Sequence, residues 1–232
     1  MSQASAGPLD LVPAREGPAI IAHGGGNTVE GLREWVQAGA DYLEVDIWLH
    51  RGRFEARHER RISWLPFLYE KWYLRRVPRG RYGLEELMRE SAGLGAGIFL
   101  DLKNGGAATA ALLRRILAVS PHPERIVASS QQWQALRAIR ELAPEVDAFY
   151  SIDVRAKLDL FLSVVDRDNR PRGVSCRHSL LSENTVKRLH DRGLLVVAWT
   201  VDDLERAREL VSWGVDGITT HKVEAMRKEF VE

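Results

Sequence analysis

Apolar and polar stretches alternate regularly along most of the chain. "PAIIAH" (18–23) is a short apolar run bounded by proline and a glycine cluster, the pattern of a buried strand. Residues 28–40 place Val29, Leu32, Val36 and Ala40 near helical spacing, with Thr28 positioned to cap the helix. The segment 41–50 alternates with period two, and "FEARH" (54–58) after Gly52 reads as its continuation or a short return strand. From Gly83 the rhythm is steady. "GLEELMRESAG", "AATAALLRRILAVS", "QWQALRAIRELA", residues 154–165, "ENTVKRLHDRG", "DLERARELVSWG" and "VEAMRKEFVE" have helical spacing. Between them lie the strand-like "GIFLDLK", "RIVASS", "VDAFYSI", "RGVSCRHS", "LLVVAWTV" and "VDGITT". Eight strands alternating with eight helices predict an α/β fold with a parallel sheet, and the count of eight predicts closure into a (β/α)₈ barrel as one domain over 19–232. An open doubly wound sheet is the competing arrangement, but "HGGGNT" after the first strand lacks the spacing of a dinucleotide fingerprint.

One segment interrupts the rhythm. Residues 59–82 follow the second strand and hold Trp64, Phe67, Tyr69, Trp72 and Tyr73, together with seven Lys or Arg against two Glu. A loop after a barrel strand belongs to the C-terminal mouth, so this reads as an aromatic and basic insertion there. As a plain loop it is a solvated basic surface over a small aromatic cluster. As a functional element it is a lid, or a surface for a lipid tail or an anionic membrane. The first eighteen residues read as a flexible arm without a signal-peptide pattern, and no apolar run reaches the ~18 residues a spanning helix needs.

Composition narrows the function little. A net charge of +1 does not suggest nucleic acid as a partner, and the basic excess in 59–82 is local and unaccompanied by an RNA motif. Cys176 is alone, which fits a reducing compartment, and a cytoplasmic location is the expectation.

The chemistry concentrates at strand ends. Leu43, Val45, Ile47 and Leu49 share one face of their strand, which leaves Glu44 and Asp46 on the other. Ile98, Leu100 and Leu102 likewise point outward and Asp101 and Lys103 inward, so one mouth receives three carboxylates, Lys103, His23 and His58. Two like charges ~4 Å apart cost about 4 kcal/mol at an effective dielectric of 20. Lys103 offsets part of this, and a hard divalent cation, Mg²⁺ or Ca²⁺, suits the remaining oxygen ligands. A cation, a lysine and two imidazoles together suit phosphodiester cleavage by general acid–base catalysis. Taken singly, each residue has a plainer reading: Glu44 and Asp46 as a wet strand face, His23 as a core or turn histidine. Gly24, Gly25 and Gly26 read equally as a tight turn or as backbone open to a ligand. His178 and His221 stay undecided, and His50, His122 and His190 read as surface or helix residues.

"IIAHGG", "NTVEGLREWVQAGADYLEVDIWLHRGRFEARHE", "IFLDLK", "VVAWTVDD" and "GVDGITT" together resemble the glycerophosphodiester phosphodiesterase family over nearly the whole chain. The resemblance implies a TIM barrel and metal-dependent cleavage of a glycerophosphodiester or a lysophospholipid-like diester. It implies His23 and His58 as the acid–base pair, Glu44, Asp46 and Asp101 as metal ligands, Lys103 near the phosphate and Trp199 at the pocket wall. The chain also departs from the family. Gly24 stands where the family has a phosphate-contacting arginine, Gly26 where it has glutamate, Glu59 where it prefers Asp, and His221 where an acidic residue or Asn is common. The related sphingomyelinase D-like enzymes lack the same first-strand features yet keep the histidines and acids. The rival expectation is a silent barrel that binds a phosphorylated ligand or a membrane.

Overall fold

The computed structural model describes residues 17–62, 65–70, 73–77, 82–118, 122–167 and 171–231. Its elements run β1 (Ala19–Ala22), α1 (Val29–Gln37), β2 (Tyr42–His50), β3 (Arg53–Ala56), β4 (Arg60–Arg61), β5 (Phe67–Glu70), β6 (Tyr73–Arg76) and α2 (Leu84–Ser91). They continue with β7 (Gly97–Leu102), α3 (Ala107–Leu117), β8 (Ile126–Ser130), α4 (Trp133–Leu142), β9 (Asp147–Ile152) and α5 (Arg155–Val164). The last are β10 (Gly173–Arg177), α6 (Glu183–His190), β11 (Leu195–Trp199), α7 (Leu204–Ser212), β12 (Gly217–Thr220) and α8 (Val223–Phe230). The main sheet orders its parallel strands β1-β12-β11-β10-β9-β8-β7-β2, and β1 pairs with β2, so the sheet closes. The eight-stranded barrel with eight helices is the one the periodicity predicts, and Thr28 caps α1 by accepting from the Gly31 amide.

Two apolar regions hold it together. Outward residues such as Leu43, Val45, Ile98, Leu100, Val196 and Ile218 pack against the helices. Inside the barrel, Ile21, Tyr42, Phe99, Val127, Phe149 and Val197 fill the cylinder. Glycine makes room for the largest of these rings. A Cβ on Gly97 would lie 2.3 Å from Tyr42, and one on Gly173 would lie 2.6 Å from Phe149. Below the barrel, Asp41 accepts from the Ile20 amide and from Arg227, each at 2.9 Å, tying α8 to the start of β2.

The second strand overshoots the barrel. The Asn104 side chain accepts from the Leu49 amide at 2.7 Å and donates to the Leu49 carbonyl at 3.0 Å, acting as a strand partner where β7 has ended. Beyond it the chain turns at Arg51–Gly52, and β3 returns antiparallel along β2, so "FEARH" is a return strand. The expected inserted loop over 59–82 is corrected in part: β4, β5 and β6 form a three-stranded antiparallel sheet. Strands of two to four residues are too short to show a period-two signature and stand only by pairing with one another. The expected arm at 1–18 lies outside the described residues up to position 16, as do Trp64 and Trp72. Among the described residues, no helix is long and apolar enough to cross a membrane.

Candidate active site

Strand parity builds the site. Two positions after each apolar residue of the barrel interior, the same strand face reaches the mouth. Ile21 leads to His23, Tyr42 to Glu44, Phe99 to Asp101, Val127 to Ser129, Phe149 to Ser151, and Val197 to Trp199. The result is a cavity of about 220 Å³ lined by His23, Glu44, His58, Asp101, Lys103 and Trp199 among others. That volume suits a small polar headgroup and falls short of the ~300 Å³ at which drug-sized pockets begin.

Glu44, Asp46 and Asp101 each offer a carboxylate oxygen within 4.8 Å of the others. The register explains this: Asp46 and Asp101 are Cα partners across β2 and β7, and Glu44 is one pleat below. Lys103 Nζ lies 2.5 Å from Asp46 Oδ1 and 2.5 Å from Asp101 Oδ2. Burial, then the charges of Asp46 and Asp101, pushes Glu44 well above the usual carboxylate range. Burial raises Asp101 too, against the pull of Lys103. At Asp46 burial also acts upward, but Lys103 and the Asn27 amide, donating at 2.8 Å, outweigh it and the carboxyl is lowered. Lys103 is desolvated as well, yet Asp101, Asp46 and Glu44 hold it firmly protonated. The donor set is all oxygen, and oxygens within 4.8 Å of one another are spanned by one ion at the 2.0–2.6 Å bond lengths typical of Mg²⁺ and Ca²⁺. The three acids therefore fit a hard divalent cation.

The two expected histidines line the same cavity from different sides. His23 follows β1 directly. Its Nδ1 lies 3.2 Å from the Thr200 hydroxyl, and its ring centroid is 4.5 Å from that of His221. Burial, then the neighbouring His221, lowers its pKa from 6.5 to about 4. His58 lies beyond β3, half exposed, with Nδ1 3.0 Å from Glu70 Oε1.

The first-strand glycines form a tight turn rather than a ligand cradle. Glu44 takes up their amides: Gly24 N–H donates to its Oε2 at 2.6 Å and Gly26 N–H to its carbonyl at 3.0 Å. His221 joins the site through His23 and is held by Asp202, Nδ1 to Oδ2 at 2.8 Å. His178 stands away from the cavity lining, in a short 3₁₀ turn after β10. Periodicity did not single out Glu70, Asn27, Thr200 or the serines. Ser129 and Ser151 share the parity of Asp101 and could have been found by it; Glu70 could not, because it comes from the inserted sheet.

Residues 101–225 match the model of the glycerophosphoryl diester phosphodiesterase family. The chain belongs to this family. It is accordingly a phosphoric diester hydrolase. Over 243 aligned residues it is 23% identical to YhdW of Bacillus subtilis (strain 168), a protein named for the same family activity, covering 87% of this chain and 93% of YhdW. The fold is shared with a glycerophosphodiester phosphodiesterase from Parabacteroides distasonis, at TM-score 0.77 and 20% identity, over 94% of this chain and 98% of the other. It is also shared with an Oleispira antarctica phosphodiesterase in complex with the product sn-glycerol-3-phosphate, at TM-score 0.75 and 20% identity, over 91% and 96% of the two chains.

Proposed function

We propose that this enzyme cleaves glycerophosphodiesters, with lysophospholipid-like diesters as larger substrates, by two-histidine acid–base catalysis in a site that requires a divalent cation. One observation carries the reading: Glu44, Asp46 and Asp101 bring carboxylate oxygens within 4.8 Å of one another, and two of them, Glu44 and Asp101, line a cavity with two imidazoles and a lysine. The product bound in the Oleispira antarctica enzyme supports a glycerol phosphate as the half retained at the phosphate end.

Glu44, Asp46 and Asp101 would hold Mg²⁺ or Ca²⁺. When bound, the cation neutralises charge on the phosphoryl oxygens. Lys103, kept protonated by its acidic neighbours, adds a fixed positive charge beside the phosphate. His23, kept neutral by burial, takes the proton from the attacking oxygen, which belongs to water or to a hydroxyl of the substrate itself. A substrate hydroxyl would give a cyclic phosphate first. As the imidazolium, His58 donates Nδ1–H to Glu70 and gives its Nε2 proton to the departing oxygen, becoming the neutral imidazole. Trp199 forms part of the wall against which the alcohol portion rests.

The test is a panel of glycerophosphodiesters and lysophospholipids assayed with Mg²⁺, Ca²⁺ or chelator, beside His23→Ala. Turnover that requires the cation and collapses in the variant supports the mechanism. Cation-independent turnover, or turnover indifferent to the substitution, removes it. Saturable binding with no turnover would instead point to a silent barrel.

A further inference from the structure

The inserted sheet has two unlike faces. Cross-strand partners in an antiparallel pair point to the same side, and the side alternates along each strand. The register therefore puts Leu68, Glu70, Tyr73 and Arg75 together, with Arg61 joining them from β4. This face meets the barrel at several points, although Tyr73 on it stays 51% exposed. Leu68 is buried, Glu70 meets His58, Arg75 lies 2.5 Å from Glu59, and Arg61 lies 3.8 Å from Glu55.

The same register puts Phe67, Tyr69, Leu74, Arg60 and Arg76 on the opposite face. Here Tyr69 is 40% and Leu74 58% exposed, Phe67 is half-buried, and both arginines are exposed, Arg60 with its guanidinium 5.9 Å from the Trp48 ring centre. This is a solvent-facing apolar row with a cation at each end. Among the described residues of the sheet no carboxylate shares the face, since Glu59 and Glu70 are both engaged on the other side. Aromatic and aliphatic side chains flanked by arginine match the interface of a bilayer whose headgroups are negative.

The face also lies in the right place. His58 lines the cavity and touches Glu70, so the outer face is one sheet thickness from the cavity wall. A cavity of about 220 Å³ takes a headgroup and leaves an acyl chain outside.

We propose that the outer face of the β4–β5–β6 sheet docks the enzyme on anionic phospholipid surfaces. The benefit to catalysis rests on the proposed diesterase reading, but the docking itself does not.

The experiment is co-sedimentation of the full chain with vesicles of phosphatidylcholine alone and of phosphatidylcholine mixed with phosphatidylglycerol. Wild type, Arg60→Gln/Arg76→Gln and Tyr69→Ser/Leu74→Ser are compared, with hydrolysis of soluble glycerophosphocholine measured in parallel. The expected result is binding to the mixed vesicles, weakened by salt, and on the order of tenfold weaker in each double variant. Soluble hydrolysis stays at the wild-type level in both variants, which reports that they are folded. The proposal is overturned if wild type ignores the mixed vesicles, binds neutral vesicles as tightly, or binds no better than the variants. Wild type that binds vesicles but cleaves no diester would sink the diesterase reading and leave docking standing.

Discussion

His58 and Glu70 meet Nδ1 to Oε1 at 3.0 Å, although one follows the barrel's return strand and the other rides on the inserted sheet. Glu70 also accepts from the Tyr73 hydroxyl at 3.0 Å, so its carboxylate is held from two sides. A carboxylate on one ring nitrogen fixes the orientation of the ring, so that the other nitrogen faces substrate. We predict that Glu70→Ala lowers kcat by roughly ten- to a hundredfold with little change in KM, a part of the 10²–10⁴ that general acid–base catalysis supplies. Glu70→Gln, which keeps an acceptor, should recover much of the loss. Steady-state kinetics on a soluble diester decide it; equal losses in kcat and stability for both variants would make the contact merely structural.

His23 should titrate far below an ordinary histidine. Burial and the charge of His221 lower its pKa from 6.5 to about 4, so the folded protein resists a proton that the unfolded chain accepts. Its contribution to stability is therefore complete above pH 6.5 and drains away as pH falls towards 4. Imidazole NMR titration of chelator-treated protein should find one histidine with this low midpoint, absent in His23→Gln. His221→Asn should move that midpoint upward. Thermal melts of His23→Gln should lose less stability than wild type between pH 6.5 and 4.

Loading the acidic cluster should stabilise the fold. A cation bound only by the native state adds about 2.7 kcal/mol at a hundred times its Kd. Calorimetry with added Mg²⁺ or Ca²⁺ should show Tm rising with concentration in wild type. Asp46→Asn and Asp101→Asn should blunt the rise, and chelator should abolish turnover in wild type. A Tm indifferent to both ions would count against the three acids as ligands.

Arg227 and Asp41 form a buried pair far from the mouth, with Arg227 17% and Asp41 8% exposed. Removing one partner leaves a charge uncompensated, which typically costs about 3–5 kcal/mol. Urea denaturation of Arg227→Met should show a loss near the lower end of that range, because the Ile20 amide still serves Asp41. Activity below the transition should be unchanged.

The barrel was legible because short apolar runs alternate with helices long enough to carry their own period, and because glycines and caps mark the ends. The acids were legible for the same reason: Glu44, Asp46 and Asp101 break apolar strands on one parity. What pairs with them was hidden. Glu70 reaches His58 through a sheet whose strands are too short to signal themselves. His221 reaches His23 only because β1 and β12 are neighbours in a closed sheet, a relation between the two ends of the chain. The sequence left Gly24 and Gly26 equally a tight turn or a backbone open to ligand, and only the fold shows that Glu44 occupies their amides.

Gly26 leaves a mark on what this site can become. A β-carbon there would sit 2.1 Å from a methyl of Val45, which is wholly enclosed between strand and helix. A larger side chain at position 26 therefore cannot be introduced by one substitution alone. Val45 would have to shrink as well, so the two positions must change together. Placing a carboxylate at position 26 of this scaffold is a two-residue exchange.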